Sequence, residues 1–465
     1  MKLNKKEIPK EALLVKSPHL VLKKNGENVI AFNSLFGFPT VLNEPSVKLI
    51  NLFAQPRTTY EIKQEYEIPD LKKWVNFFFE SRFLIPIGLD EREEISQKVS
   101  KGIKKIMGGK NLESLGLIVD TECNLGCPYC LAKKVKEVSL GICGKNSRMR
   151  WPLAQKAIDG FLSVVTKDKV EIYFGGGEAF LNWELMKKII SYCVNKFGDR
   201  HQFSFSTNTN ATLIAPPRAK FLGKHKVIVT TSLDGPPQIN DTMRYYHSGR
   251  GAYEDILAGW NNLAKFSKKV EWFCLTLTDG NINGIQEKFF DFLVQKNIKS
   301  CSFEPDLIVP LKTPPEELVA KLIQFKHWAL ERKITLGGMW DKPIKNMFEE
   351  KIEKRMFGCS ALTGRGITVL PSGDVVPCSY SKIKIGTAEK ISDAMHSPKY
   401  LSLVSSKAIG QIKQCVGCEI EGQCVGGCFI TTEYGEYIGS DEAFQYHCKI
   451  FKGITDILLK EAIVP

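Results

Sequence analysis

The sequence predicts an α/β protein. Its centre is six β/α units forming a parallel sheet curved into a partial barrel, with a small α+β unit before it and a cysteine-rich unit after it. Three observations carry this. Short apolar runs alternate with helical patterns across residues 112–335. Residues 1–90 hold their own hairpin and helix-start signals. Ten of the fourteen cysteines fall into two groups, at 123–130 and 359–448. The expected divisions are 1–90, a linker over 91–111, the barrel over 112–335 and the cysteine-rich unit over 336–465.

In the first unit, His19-Leu-Val-Leu-Lys-Lys and Asn28-Val-Ile-Ala-Phe flank Asn25-Gly26, a two-residue hairpin signal. Asn43-Glu-Pro45 offers a helix start with proline in the first turn. Thr58-x-x-Glu61 has capping-box form. A third helix is expected from Asp70, its stripe being Leu71, Trp74, Val75 and Phe78. Phe83-Leu-Ile-Pro-Ile87 closes as a strand. Residues 91–111 are charged and read as a linker or connecting helix. The lysines at 98, 101, 104, 105 and 110 fit a solvated face.

Six strands are expected at 115–120, 170–174, 202–206, 227–233, 272–277 and 301–304. In a β/α barrel the chemistry sits at the C-terminal strand ends. The first strand leads into Cys123-Asn-Leu-Gly-Cys127-Pro-Tyr-Cys130. Structural zinc or a fully ligated iron–sulfur cube needs four ligands. Three close cysteines without a fourth suggest a cube with one open iron. A zinc site completed from afar, or three buried thiols, are the competing readings.

After the second strand comes Gly175-Gly-Gly-Glu178, where backbone can approach a ligand and a carboxylate can pair with an ammonium group. Ser206-Thr-Asn-Thr-Asn-Ala-Thr follows the third strand. Ser232-Leu-Asp-Gly-Pro, Asp241 and Arg244 follow the fourth.

The cysteine-rich unit opens with charged residues and a helix expected around Lys345–Arg355. Cys359, Gly373-x4-Cys378, Cys415-x2-Cys418-x5-Cys424-x3-Cys428 and Cys448 come next. A pair of zinc knuckles is the competing reading. Cys143, Cys193, Cys274 and Cys301 read as buried structural thiols, with Cys143 in the loop after the cluster loop. His447 reads as a packed histidine or a donor behind Cys448.

Hydrophobic content of 43% and charged content of 25% are those of a soluble globular chain. No run reaches membrane-helix length, and the N-terminus lacks a signal-peptide core. A reducing cytoplasm is therefore expected, where many cysteines point to metal rather than disulfides. The formal charge of +13 permits nucleic acid, an anionic surface or an acidic peptide as partner.

The Cys-x3-Cys-x2-Cys loop with Tyr129 resembles the radical S-adenosylmethionine family. The resemblance implies a (β/α)6 partial TIM barrel, with a [4Fe–4S] cluster on Cys123, Cys127 and Cys130. S-adenosylmethionine would chelate the open iron and be cleaved to a 5′-deoxyadenosyl radical. It further implies contacts to that cofactor from Tyr129, Gly176, Gly177, Glu178, Ser206, Asn208, Ser232 and Arg244. Glu178 would meet the amino group and Arg244 the carboxylate. The departures are Ala179 where the family has proline, and no glycine at Thr209 or Asn210.

The second cysteine group is similar to the SPASM domain, which binds two auxiliary [4Fe–4S] clusters. On that pattern Cys415, Cys418, Cys424 and Cys448 enclose the distal cluster. Cys359, Cys378 and Cys428 are left for the proximal one, whose fourth ligand is open or not cysteine. Residues 1–90 resemble the winged-helix peptide-recognition element of enzymes that modify ribosomally made peptides. There a leader segment adds a strand to a sheet edge.

Together these imply a peptide maturase that forms a carbon–carbon, carbon–sulfur or carbon–oxygen crosslink in a precursor peptide. It would use three [4Fe–4S] clusters and a flavodoxin- or ferredoxin-type donor, and no membrane. Relatives that oxidise a sulfatase serine or cysteine carry Asp after the Gly-x4-Cys cysteine; here Ser379 stands there, which makes sulfatase maturation the second reading. A non-catalytic nucleic-acid-binding metal-cluster protein is the alternative of another class. Aromatic Trp74, Phe77, Phe78 and Phe79 in the third helix argue against DNA readout.

Overall fold

Strand-forming residues collect where the apolar runs predict them, and the sheet they build is larger than six strands. The computed structural model describes residues 12–138, 147–267, 272–349 and 351–462; within 135–138 it describes the backbone only. The strands are β1 Leu14–Lys16, β2 Leu20–Asn25, β3 Asn28–Asn33, β4 Gly37–Leu42, β5 Leu84–Pro86, β6 Ser114–Asp120, β7 Lys169–Gly176 and β8 Gln202–Thr209. They continue with β9 Ile228–Ser232, β10 Trp272–Leu277, β11 Ser300–Pro305, β12 Thr335–Gly337, β13 Gly366–Val369, β14 Asp374–Val376 and β15 Gly386–Thr387.

The first unit contains the expected hairpin and three helices. Asn25 pairs with Asn28, so the turn is Gly26-Glu27, one residue later than expected, with Gly26 at φ +61°. Asn43 caps the helix Glu44–Asn51 by accepting from Ser46 N at 3.0 Å. Thr58 and Glu61 form the reciprocal capping box of the helix Thr59–Glu65. The third helix, Leu71–Glu80, buries Leu71, Val75 and Phe78 but leaves Trp74 at the rim.

Two strands of this unit were not foreseen. β1 pairs antiparallel with β5, and β4 lies outside β3 in the order β2-β3-β4. Leu14, Ala31, Leu42, Ile50, Phe53, Ile62, Phe78 and Phe83 make a small core of their own. The pleat of β3 divides it between two cores: Ala31 faces this one, Ile30 and Phe32 the main one.

Residues 91–111 hold the connecting helix Glu91–Met107. Asp90 accepts from Arg92 N and Glu93 N at its start. Its buried stripe is Ile95, Val99 and Ile106.

The main sheet has ten strands in the order β12-β11-β10-β9-β8-β7-β6-β13-β14-β15. The six expected strands are β6 to β11, paired parallel in sequence order. Helical segments return the chain between them, as parallel pairing requires. β12 adds a further parallel strand beside β11. β13 pairs parallel with β6, and β14 and β15 follow antiparallel. The cysteine-rich region therefore contributes strands to the barrel sheet instead of standing apart. The sheet runs from β12 to β15 without the two ends meeting, so the barrel is open.

The helix expected around Lys345–Arg355 is Lys342–Met347, followed by a 3-10 turn at Ile352–Lys354. No helix among the described residues is long and apolar enough to cross a membrane.

Candidate active site

The loop carrying the first three cysteines is fixed by what lies beneath it. Asp120 ends β6 and is buried; its Oδ2 accepts from Arg148 Nε at 2.7 Å and its Oδ1 from Glu122 N at 3.0 Å. The end of β7 is laced to the same turn. Gly177 N donates to Asp120 O at 3.0 Å and Glu178 N to Glu122 O at 2.8 Å. A Cβ on Gly176, whose φ is +139°, would lie 1.8 Å from Asp120 O; one on Gly177 would lie 2.4 Å from Glu122 O. No side chain fits at either position, so the glycines let two strand ends touch.

The far side of the loop is held by later segments. Gly126 N donates to Tyr245 O at 2.7 Å and His247 Nε2 to Cys123 O at 3.0 Å. Asn210 Nδ2 donates to Asn124 Oδ1 at 2.9 Å and lies 3.7 Å from Cys123 Sγ. Burial pushes the Cys123 thiol up to about 12 and raises Cys127, whose rise the Arg244 charge opposes.

A cleft of about 280 Å³ opens at the C-terminal ends of the strands. Cys123, Cys127, Tyr129 and Cys130 form one wall, with Gly176, Gly177, Asn208, Ser232 and Arg244 around them. Sequence segments more than a hundred residues apart are thus brought to one cavity, as the strand-end rule expects.

Two expected residues are placed elsewhere. The Glu178 carboxylate points back into the protein and accepts from Thr209 Oγ1 at 2.8 Å, Asn210 N at 2.9 Å and Phe180 N at 3.1 Å. With its lone pairs so engaged, it is not turned to an ammonium group in the cleft. Ser206 sits one pleat deeper than Asn208, and its Oγ donates to Glu171 Oε1 at 2.7 Å.

The sequence reading missed the group that orders the cleft. Asp234, the acid of Ser232-Leu-Asp-Gly, is fully buried. Tyr129 OH donates to its Oδ2, Arg244 Nη2 to its Oδ1 at 3.2 Å, and Thr276 N to Oδ1 at 3.2 Å. Arg244 Nε also lies 2.9 Å from Oδ2, an ion-pair contact off the N–H direction. The Arg244 guanidinium stands 5.6 Å from the Tyr129 ring centre. Burial works against its charge, but Asp234 outweighs this and holds the guanidinium more firmly protonated than usual.

Part of the cleft lining was also missed: Tyr173, Thr276, Glu304, Asp306 and Tyr380. Asp306 is paired with Lys134 at 2.9 Å and accepts from Ile308 N and Val309 N. Glu304 accepts from Ser302 Oγ at 2.9 Å and from Met339 N at 3.0 Å. Burial raises its carboxyl to about 7 despite these donors. Glu304 and Asp306 stand at the end of an expected strand, the one signal that could have found them.

The C-terminal cysteines divide into two neighbourhoods. Cys415, Cys418, Cys424 and Cys448 surround a small cavity with Cys428, His447, Phe444 and Phe451 on its rim. His447 Nε2 donates to Asp306 O at 3.0 Å, and its buried Nδ1 has no partner. Cys378 is raised by burial and senses Cys428 and Cys359. Tyr380 lies two residues from Cys378 and lines the cleft, so this second neighbourhood stands behind the cleft wall. Cys193 and Cys301 are buried in the main core, and Cys274 is partly buried. Cys143 lies outside the described residues. Among the described residues no three of His, Cys, Asp and Glu close on a single metal ion; these cysteines surround voids instead.

Residues 117–290 match the radical SAM superfamily. The match over these residues implies a radical SAM domain, with S-adenosylmethionine and a [4Fe–4S] cluster. It is 24% identical over 457 residues to the radical SAM cyclopropyl synthase TigE of Paramaledivibacter caminithermalis, covering 95% of this chain and 94% of that one. It is 20% identical to the serine-type anaerobic sulfatase-maturating enzyme of Bacteroides thetaiotaomicron, over 71% of this chain and 85% of that one. Among solved structures, native anSMEcpe with bound AdoMet superposes with a TM-score of 0.62 at 20% identity, covering 75% of this chain and 100% of that one. Streptococcus suis SuiB bound to its precursor peptide SuiA gives 0.52 at 17% identity, covering 90% and 96%. The α/β fold with its large mixed sheet is the one these structures share.

Proposed function

We propose that this protein is a peptide-modifying radical S-adenosylmethionine enzyme that crosslinks a ribosomally made precursor in the cytoplasm. The observation that carries the reading is the cleft itself, which gathers three thiols, bare glycine backbone, Ser232 and an Asp234-held arginine at the strand ends. These residues fit the groups the family brings. Cys123, Cys127 and Cys130 would hold the cluster. Gly176, Gly177, Asn208, Ser232 and Arg244 would hold the cofactor beside it. Bound there, cluster and cofactor supply a radical that abstracts hydrogen from substrate. Tyr129 and Asp234 fix the guanidinium so that it meets a carboxylate without reorganising.

The remaining assignments follow the same reading. Cys415, Cys418, Cys424 and Cys448 wall a cavity of the right chemistry for one auxiliary cluster. Cys359, Cys378 and Cys428 would hold a second, close to the cleft wall, whose fourth position is open or filled by a non-cysteine ligand. Residues 1–90 would dock the leader as a winged-helix-like element; their three-stranded sheet has β2 and β4 as outer strands. SuiB in complex with SuiA shows that a protein of this fold binds a precursor peptide, which supports a peptide substrate. A flavodoxin- or ferredoxin-type protein would supply the electron.

The test is co-expression with the short reading frame beside the gene, followed by anaerobic reconstitution. Release of 5′-deoxyadenosine with loss of two hydrogens per crosslink is expected. Release of none under any reductant would refute an enzymatic role. Sulfatase maturation is the second reading, favoured by the likeness to the maturating enzymes. Oxidation of a sulfatase-derived peptide, with the precursor untouched, would establish it instead.

A further inference from the structure

Forming a bond X–Y from X–H and Y–H releases one hydrogen atom, one electron and one proton. The hydrogen atom would go to the radical that the cofactor supplies when bound. The electron would go to an iron–sulfur cluster that the C-terminal cysteines would hold. The proton needs a base that faces the substrate. Ser379 cannot serve, having no affinity for a proton at neutral pH.

We propose that Glu304 is that base: its carboxylate takes the proton from Y–H as the new bond closes, and returns it to water through the cleft. The proposal rests on the crosslinking reading above, and its support is the way the other acids around the cleft are engaged. Asp234 is tied to Arg244, Tyr129 and Thr276 N. Asp306 is tied to Lys134 and two backbone N–H groups. Glu178 is turned away behind the glycine turn with three donors of its own.

Of these four acids Glu304 is the one that, among the described residues, meets only neutral donors, Ser302 Oγ and Met339 N, and it lines the cavity. The charged and titratable groups around it are Asp341 and Lys345 from the segment after β12, Cys274 on β10 and Cys428. Lys345 is itself paired with Asp341 at 2.8 Å, so its charge reaches Glu304 only at a distance, and among the described residues no cation pairs directly with Glu304. A carboxyl in such a place is matched to accept a proton near neutral pH, and burial moves it the same way.

Glu304→Gln keeps the shape and the two hydrogen bonds but cannot accept a proton. In the reconstituted enzyme, hydrogen transfer from labelled precursor into 5′-deoxyadenosine should persist, while crosslinked product falls about 100-fold or more. Glu304→Asp should restore part of the yield. Infrared difference spectra of metal-free protein carrying 13C-labelled glutamate supply a readout independent of turnover. A carboxylic acid band present in wild type and absent from Glu304→Gln should persist to near neutral pH. Undiminished crosslinking by Glu304→Gln, or a Glu304 carboxyl already ionised at ordinary glutamate pH, overturns the proposal. A wild-type enzyme that cleaves its cofactor but crosslinks nothing would sink the crosslinking reading instead, and the infrared comparison would still decide the state of Glu304.

Discussion

Asp234 and Arg244 are both buried and their charges face each other, so removing one charge strands the other. Asp234→Asn leaves the guanidinium, 8% exposed, with no anion. Tyr129 OH and Thr276 N lose the charged acceptor they share with it. Breaking a buried ion pair from one side costs about 3–5 kcal/mol. Arg244→Met strands the carboxylate in turn. The double variant strands neither, so its cost should fall below the sum of the two singles by an amount in the upper part of the ~0.5–3 kcal/mol range measured for contacting pairs. Urea unfolding of the metal-free protein, followed by tryptophan fluorescence and far-UV circular dichroism, measures all four forms. Single costs that add to within about 0.5 kcal/mol would refute the coupling, and with it the claim that Asp234 holds the arginine in place.

Three further outcomes are expected. Changing Cys123, Cys127 or Cys130 to Ala should remove one cluster's iron and abolish cofactor cleavage while leaving any iron held by the C-terminal cysteines; cleavage at wild-type rate in any of the three would contradict the assignment. Gly177→Ala forces a Cβ against Glu122 O, 2.4 Å away, so the cysteine loop should shift and cluster loading fail; normal iron content and ultraviolet–visible spectrum would show that the contact is not needed. Glu304 has a folded-state pKa of about 7 against an ordinary 4.5, so its charged form is disfavoured by folding. Its effect is absent below the ordinary value, grows as pH rises through this window, and reaches roughly 3 kcal/mol of lost stability above it. Glu304→Gln should remove that pH dependence, and parallel stability curves for both forms between pH 5 and 8 would refute it.

The sequence was most informative where structure is local. Helix starts at Asn43 and Thr58 are read from side chains three residues apart, and both caps form. The six barrel strands, most of them rich in β-branched or aromatic residues, lie where expected, within a few residues at their ends. β4 was missed because it contains Pro39, which a central strand does not tolerate; it lies at the sheet edge, where proline is allowed. β1 is three residues long and means nothing without its partner β5. The site shows the same divide. The cysteines and glycines stand in short spacings and could be read. Asp234 acts through Tyr129, 105 residues earlier in the chain, and no spacing reveals such a pair. Glu178 shows the converse: its motif is visible, but only packing says which way the carboxylate faces.

The first hairpin and the last cysteine loop share a seam. Gly422 N donates to Ser34 O at 2.8 Å, and a Cβ on Gly422 would lie 1.9 Å from Leu35 O. Arg355 Nη2 donates to Phe36 O at 2.6 Å, and Arg92 grips Glu421 with two hydrogen bonds. Lys23 reaches both Glu419 and Asp456. The loop bearing Cys415, Cys418 and Cys424 is therefore moulded on residues made nearly four hundred positions earlier. During synthesis the Ser34 and Phe36 carbonyls must wait for Gly422 and Arg355 to be made before these bonds can close. A ligand pulling on the hairpin pulls on the cavity too.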